Sequence, residues 1–119
     1  MARILLAEDD ASLRGFLTRA LERAGHQVID CENGDDAIDA LEHGPYDLLL
    51  TDIVMPGADG IEVARVAAAR QPGLRIMFIT GFAAVALSAQ DRAPAGAKVL
   101  SKPVHLRDLV AEVEKMMAA

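Results

Sequence analysis

Acidic, hydroxyl and ammonium side chains end or follow four of the short apolar segments in this sequence. They are Glu8, Asp9 and Asp10 after the first segment, Asp52 after the third, Thr80 at the end of the fourth and Lys102 after the fifth. Crowded carboxylates repel one another, so such a cluster is favourable where a divalent cation that prefers oxygen ligands lies among them. The sequence therefore indicates a Mg²⁺ site.

The same residues suit a phosphoryl group as well as a cation. The ammonium group of Lys102 can hold one phosphoryl oxygen, and the hydroxyl of Thr80 can donate to a second. Asp52 is then a candidate phosphoryl acceptor, with the cation neutralising charge on the group during in-line transfer. The chemistry that this set of residue types favours is metal-assisted phosphoryl transfer to Asp52.

Short apolar segments alternate with helical patterns along the sequence. Five strands, mostly apolar as strands buried on both faces are, are predicted at residues 3–7, 27–31, 47–51, 75–80 and 97–101. Helices are predicted around residues 13–24, 37–41, 60–70, 83–90 and 106–117. In the first helix, Asp10 suits the N-cap, while Arg14 and Arg19 lie opposite the apolar stripe. This order predicts an α/β fold, a doubly wound five-stranded parallel sheet flanked by five helices.

The predicted topology brings the polar residues to one place. Crossovers between parallel strands are right-handed, so helices cover both faces of the sheet and ligands bind beyond the carboxyl ends of the strands. All of the candidate side chains follow or end strands in this direction. We therefore expect them to meet at one edge of the sheet.

Length and charge restrict the class of protein. A chain of 119 residues can form one compact soluble domain, which we expect to span residues 1–119. The single cysteine, Cys31, excludes an intramolecular disulfide and a cysteine-based zinc site, which fits the cytoplasm. A net charge of −6 with scattered arginines disfavours a nucleic-acid surface. No apolar stretch approaches the roughly 20 residues that a membrane span needs.

Several motifs resemble those of response-regulator receiver domains, the CheY-like partners of histidine kinases in two-component signalling. They are ILLAEDD at residues 4–10, LTDIVMP at residues 50–56, Gly60, Thr80-Gly81 and Lys102-Pro103. The resemblance covers essentially the whole chain and implies a flavodoxin-like, CheY-like fold. It also implies phosphorylation of Asp52 by a histidine kinase or a histidine phosphotransferase.

The same resemblance implies a role for each site residue. The implied Mg²⁺ ligands are Asp9, Asp52, the backbone carbonyl of Val54 and, through water, Glu8. Thr80 and Lys102 are expected to contact the phosphoryl oxygens, and the Lys102-Pro103 peptide bond is expected to be cis.

One position departs from the family pattern. Val99 lies three residues before Lys102, where the family commonly has an aromatic residue that turns inward when the threonine is drawn to the phosphate. Phosphorylation must then change the surface by another route. We expect that route to pass through Thr80 to the apolar predicted fourth helix, in which Val85 and Leu87 are candidate docking residues.

Longer segments resemble the stand-alone regulators of the CpdR type. These segments are LLAEDD, LLTDIVMPGADGIEVARVA, IMFITGFAAVAL and AKVLSKPVHL. The resemblance implies a non-enzymatic regulator without an output domain, acting as an adaptor for the ClpXP protease when unphosphorylated.

Three alternative functions stay open at this point. A receiver fragment of a larger transcriptional regulator would have the same motifs. A Mg²⁺-dependent phosphatase with an aspartyl-phosphate intermediate would need a general acid two residues after Asp52, where this sequence has Val54. A flavodoxin-like cofactor carrier would need a Ser/Thr/Gly-rich first loop, and this loop is acidic instead.

Overall fold

In the computed structural model, five parallel strands form one sheet with helices on both faces. The structure describes residues 1–81 and 92–118. The strands are β1 (Arg3–Ala7), β2 (Gln27–Cys31), β3 (Leu48–Asp52), β4 (Arg75–Thr80) and β5 (Lys98–Ser101). The α-helices in the described ranges are α1 (Ala11–Arg23), α2 (Gly34–Ala40), α3 (Gly60–Arg70) and α4 (Leu106–Ala118), and a 3₁₀ turn (Leu41–His43) follows α2. The predicted helix at 83–90, with Val85 and Leu87, lies outside the described residues.

The strand order is β2-β1-β3-β4-β5, which confirms the predicted doubly wound parallel sheet. The crossover that follows β1 leads to β2 on one side and the crossover that follows β3 leads to β4 on the other, so the two connections diverge and open a crevice between the carboxyl ends of β1 and β3. β1 and β3 are direct neighbours, and Ala7 pairs with Thr51. The residues that follow β1 and the last residue of β3 therefore lie side by side in this crevice.

Two apolar layers hold the helices on the sheet. Alternate strand residues point to opposite faces, so Leu49 and Phe78 pack with α2 and α3 while Leu50 and Met77 pack with α1 and α4. All four of these side chains are fully buried. The rigid, close-packed layers fix the positions of the strand ends that carry the polar residues.

Some predicted boundaries shift by one residue. β3 runs one residue later than predicted at both ends, from Leu48 to Asp52. Asp47, just before the strand, contacts Arg3 twice: its carboxylate accepts from the Arg3 backbone N–H at 2.7 Å, and its own N–H donates to the Arg3 carbonyl at 2.7 Å. β5 begins one residue later, at Lys98. The prediction of burial on both faces was wrong for β2, because β2 is an edge strand in which Gln27 and Asp30 are exposed.

Polar contacts close the amino-terminal edge of the sheet. The buried ring of His26 accepts a hydrogen bond from the Ala2 backbone N–H through Nδ1 at 3.0 Å. Its Nε2 lies 2.9 Å from Glu114 Oε1, which ties α4 to this edge. His26 is thus far from the candidate site, at the opposite end of the strands. None of the helices in the described ranges combines the length and apolar character that crossing a bilayer requires.

Candidate functional site

The structure gathers the polar residues at the carboxyl edge of the sheet. Carboxylate oxygens of Glu8, Asp9 and Asp52 all lie within 4.8 Å of one another. Glu8 and Asp9 follow β1 directly, and Asp52 is the last residue of β3. Glu8 and Asp52 are buried, whereas Asp9 is exposed to solvent. The cluster therefore has a buried floor and one open side.

Lys102 supplies the positive charge that faces these carboxylates. Its Nζ lies 2.9 Å from Asp52 Oδ2 and 3.0 Å from Glu8 Oε1. The residue follows β5, and its backbone N–H donates to the Thr80 carbonyl at 2.8 Å. Thr80 is buried at the end of β4, and the Lys102-Pro103 peptide bond is cis, as predicted.

Backbone contacts hold Asp52 in place. The Ile53 N–H donates to Asp52 Oδ1 at 2.7 Å, so one carboxylate oxygen is fixed by the backbone and the other faces Lys102. The Thr51 hydroxyl donates to the Asp52 carbonyl at 2.8 Å. Gly60, the first residue of α3, donates its N–H to the Ile53 carbonyl at 2.8 Å, so α3 begins directly against this segment. Val54 lies in the loop between β3 and α3 with a half-exposed side chain.

The electrostatics of the cluster are those of crowded, buried charges. Burial raises the pKa of Glu8 to about 7, and the nearby charge of Asp52 adds to this effect, against hydrogen bonds from the Asp10 backbone and Lys102. Burial by itself lowers the pKa of Lys102, but its hydrogen bonds and charge interactions with Asp52 and Glu8 outweigh burial and raise that pKa. The ammonium group of Lys102 therefore stays charged, whereas ionisation of the Glu8 carboxyl group is unfavourable.

These residues fit a hard divalent cation. Glu8 Oε1 is buried and lies 3.0 Å from Lys102 Nζ, an ammonium group that it shares with Asp52. Three carboxylates thus face one ammonium group in the cluster. A cation with oxygen ligands would offset the excess negative charge. Glu8, Asp9 and Asp52 are the side chains that could hold it.

The pKa of Glu8 predicts a pH-dependent stability in the absence of Mg²⁺. Its pKa rises from an ordinary value of 4.5 to about 7, so the folded state binds this proton more tightly than the unfolded state does. The free energy of unfolding should therefore fall as pH rises from 4.5 to about 7. By linkage, we expect this loss to be about 3 kcal/mol.

Urea denaturation between pH 4.5 and 8 checks this expectation. Glu8→Gln cannot titrate and should remove most of the pH dependence, while Glu22→Gln, an exposed substitution on α1, should keep it. An unchanged pH profile in Glu8→Gln would contradict the assignment.

Asp10 does not belong to the carboxylate cluster. Its Oδ1 accepts a hydrogen bond from the Leu13 N–H at 3.0 Å, which makes it the N-cap of α1, as predicted. Its own N–H donates to Glu8 Oε2 at 3.1 Å. Asp10 thus supports Glu8 through its backbone and the helix through its side chain.

Sequence reasoning missed Arg14. The helical period placed Arg14 on the outer face of the first helix, but its side chain is only 18% exposed and Nη1 donates to the Glu8 carbonyl at 2.8 Å. The position of Arg14 in the helix could have indicated this contact, because side chains in the first turn of a helix lie beside the loop that precedes the helix.

The family model of the response regulator receiver domain matches residues 4–114. The chain belongs to this family. The family predicted from the motifs is therefore confirmed, which places the chain among two-component signalling modules with kinase or phosphotransfer partners.

Curated relatives differ in length. The chain is 61% identical to the response regulator receiver protein CpdR of Brucella abortus, over 100% of this chain and 99% of that protein. It is 35% identical to the DNA-binding transcriptional regulator NtrC of Azospirillum brasilense, over 98% of this chain but 24% of that protein. The likeness to CpdR inferred from the longer segments is confirmed.

Solved receiver structures match the fold. A response regulator receiver protein from Sinorhizobium medicae superposes with a TM-score of 0.91 at 34% identity, covering 98% of this chain and 94% of that one. TrrA from Thermotoga maritima, solved in complex with Mg²⁺-BeF, gives a TM-score of 0.83 at 30% identity, covering 98% and 99% of the two chains.

Proposed function

We propose that this receiver domain is a stand-alone response regulator that accepts a phosphoryl group on Asp52 with the help of Mg²⁺. The observation that carries the proposal is the geometry around Asp52. Its carboxylate lies at the open carboxyl edge of the sheet, within 4.8 Å of oxygens of Glu8 and Asp9 and 2.9 Å from Lys102 Nζ. The structure of TrrA in complex with Mg²⁺-BeF supports the same type of site here.

The roles of the residues follow from their charges and positions. Glu8, Asp9, Asp52 and the backbone carbonyl of Val54 would hold Mg²⁺, which supplies positive charge against the phosphoryl oxygens when bound. Lys102 and the Thr80 hydroxyl would bind two of these oxygens. The backbone hydrogen bond at Oδ1 orients the carboxylate of Asp52 for in-line attack.

Transfer of the phosphoryl group needs only the phosphorylated donor and Asp52. One carboxylate oxygen of Asp52 forms a bond to phosphorus as the phosphorus–nitrogen bond of a phosphohistidine breaks, and the imidazole leaves with the electron pair of that bond. The donor is a histidine kinase or a histidine phosphotransferase. The product is an acyl phosphate on Asp52.

The output of the protein is a change in protein binding. The full-length identity of 61% to CpdR, a response regulator receiver protein, supports a stand-alone regulator. We propose that residues 1–119 act as one cytoplasmic domain and that the unphosphorylated form is an adaptor for the ClpXP protease. A receiver fragment of a larger transcriptional regulator is the second candidate, favoured by the relatives of the NtrC type, of which this chain covers 24%. A phosphatase lacks this support, since Val54 cannot donate a proton.

Intact mass spectrometry tests the proposal. With Mg²⁺ and acetyl phosphate, the protein should gain the mass of one phosphoryl group, because the cluster itself stabilises the transferring charge. The same incubation with EDTA should leave the mass unchanged, and hydroxylamine should remove the added group. A modification that forms without Mg²⁺ or survives hydroxylamine would contradict the acyl phosphate.

A further inference from the structure

Arg14 connects three parts of the molecule beside the carboxylate cluster. It lies in the first turn of α1, and its Nη1 donates to the Glu8 carbonyl at 2.8 Å. Its Nε lies 3.5 Å from Asp30 Oδ2 on the edge strand β2. The side chain is 18% exposed, whereas that of Asp30 is 48% exposed. Of the two contacts, the hydrogen bond to the Glu8 carbonyl is therefore the less exposed to solvent.

The Glu8 carbonyl shares its peptide plane with the N–H of Asp9. The direction of this carbonyl consequently constrains the backbone at Asp9, and with it the position of the Asp9 carboxylate. The N–H of Glu8 is fixed as well, because it donates to the Cys31 carbonyl at 3.1 Å. Arg14 and β2 thus hold the two peptide groups that flank Glu8.

We propose that Arg14 is a positioning residue for the Mg²⁺ site. By holding the peptide between Glu8 and Asp9, it places the exposed Asp9 carboxylate near Asp52 before the cation binds. Without this contact the loop has to become ordered as the cation binds, which lowers the affinity. The inference rests on the proposed function, because it concerns the cation that assists phosphorylation of Asp52.

Mg²⁺ titration followed by NMR chemical shifts measures this effect directly, without any phosphorylation. Arg14→Met should weaken Mg²⁺ binding about tenfold, as loss of a residue that orients metal ligands typically does. Arg14→Lys should recover part of the affinity, because an ammonium group can still donate to the Glu8 carbonyl. Arg19→Met, which removes the same charge from an exposed position of α1, should stay within about twofold of wild type.

A second measurement separates positioning from general destabilisation. In Arg14→Met, the Mg²⁺ concentration for half-maximal phosphorylation by acetyl phosphate should rise, while the rate at saturating Mg²⁺ stays near that of wild type. A lower melting temperature with unchanged Mg²⁺ affinity would overturn the proposal, as would equal losses in Arg14→Met and Arg19→Met. If Arg14→Met fails to fold, wild-type affinity in Arg14→Lys together with wild-type affinity in Arg14→Gln would overturn it.

The wild-type protein distinguishes this inference from the proposed function. A wild type that binds no Mg²⁺ and takes up no phosphoryl group would overturn both. A wild type that does both, beside an Arg14→Met variant indistinguishable from it, would overturn only the role of Arg14.

Discussion

Asp52→Asn is expected to abolish uptake of the phosphoryl group and to leave the fold intact. The amide lacks the nucleophilic carboxylate oxygen that forms the acyl phosphate. Loss of the carboxylate also removes one negative charge from the cation site. Lys102 keeps a partner in the variant, because its Nζ also lies 3.0 Å from Glu8 Oε1. The side chain has the same shape, so the close packing beneath it is preserved. Phosphorylation should fall below detection while the melting temperature changes by a few degrees at most.

Asp10→Asn is the matched control for this substitution. It removes a carboxylate two residues from Glu8, but asparagine caps helices as well as aspartate does, so α1 should keep its start. Intact mass spectrometry should show one added phosphoryl group in Asp10→Asn and none in Asp52→Asn. Phosphorylation of Asp52→Asn to the wild-type extent would place the acceptor elsewhere and contradict the proposed site.

The same variant bears on the output of the protein. Asp52→Asn should remain in the unphosphorylated state when acetyl phosphate and Mg²⁺ are present. If the unphosphorylated form binds ClpXP, the variant should retain this binding under conditions in which wild type loses it. Equal binding of purified ClpX by both proteins under these conditions would show that phosphorylation of Asp52 does not control binding to ClpX.

The sheet and the location of the site could be predicted from sequence because both depend on local patterns. Parallel strands are short and apolar, and polar residues at their ends interrupt that pattern, as Asp52 and Lys102 do. The direction of the strands then brings those ends together without any knowledge of side-chain contacts. In the structure, Lys102 Nζ accordingly lies 2.9 Å from Asp52 Oδ2.

The support around the site could not be predicted in the same way. Glutamate is rarely buried, so the sequence does not reveal that Glu8 is completely enclosed. The helical period places Arg14 opposite the apolar stripe, but its long side chain folds back onto the loop before α1. The exposure of Asp30 depends on β2 being an edge strand, which follows from the strand order rather than from its residues. Each of these features depends on tertiary neighbours.

The close approach of α3 to Asp52 is a further feature of this kind, and it makes Gly60 a critical position. A Cβ atom added to Gly60 would overlap the Asp52 carbonyl oxygen and would lie 2.9 Å from the Ile53 Cα. Both are backbone atoms of the segment that holds the candidate phosphoryl acceptor, so no flexible side chain can move aside. The first turn of α3 would have to shift away, lengthening the 2.8 Å hydrogen bond from the Gly60 N–H to the Ile53 carbonyl.

Gly60→Ala should therefore impair both stability and phosphorylation. We expect a loss of about 3 kcal/mol in the free energy of unfolding from overpacking, measured by urea denaturation. Displacement of Asp52 by about 1 Å would slow phosphorylation by acetyl phosphate by about 100-fold at saturating Mg²⁺. Gly15→Ala is the control, since its added Cβ meets only the flexible Arg19 side chain, at 3.3 Å. Alanine also has a higher helix propensity than glycine at this position within α1. Wild-type stability and rate in Gly60→Ala would show that α3 can move away from β3 without disturbing Asp52.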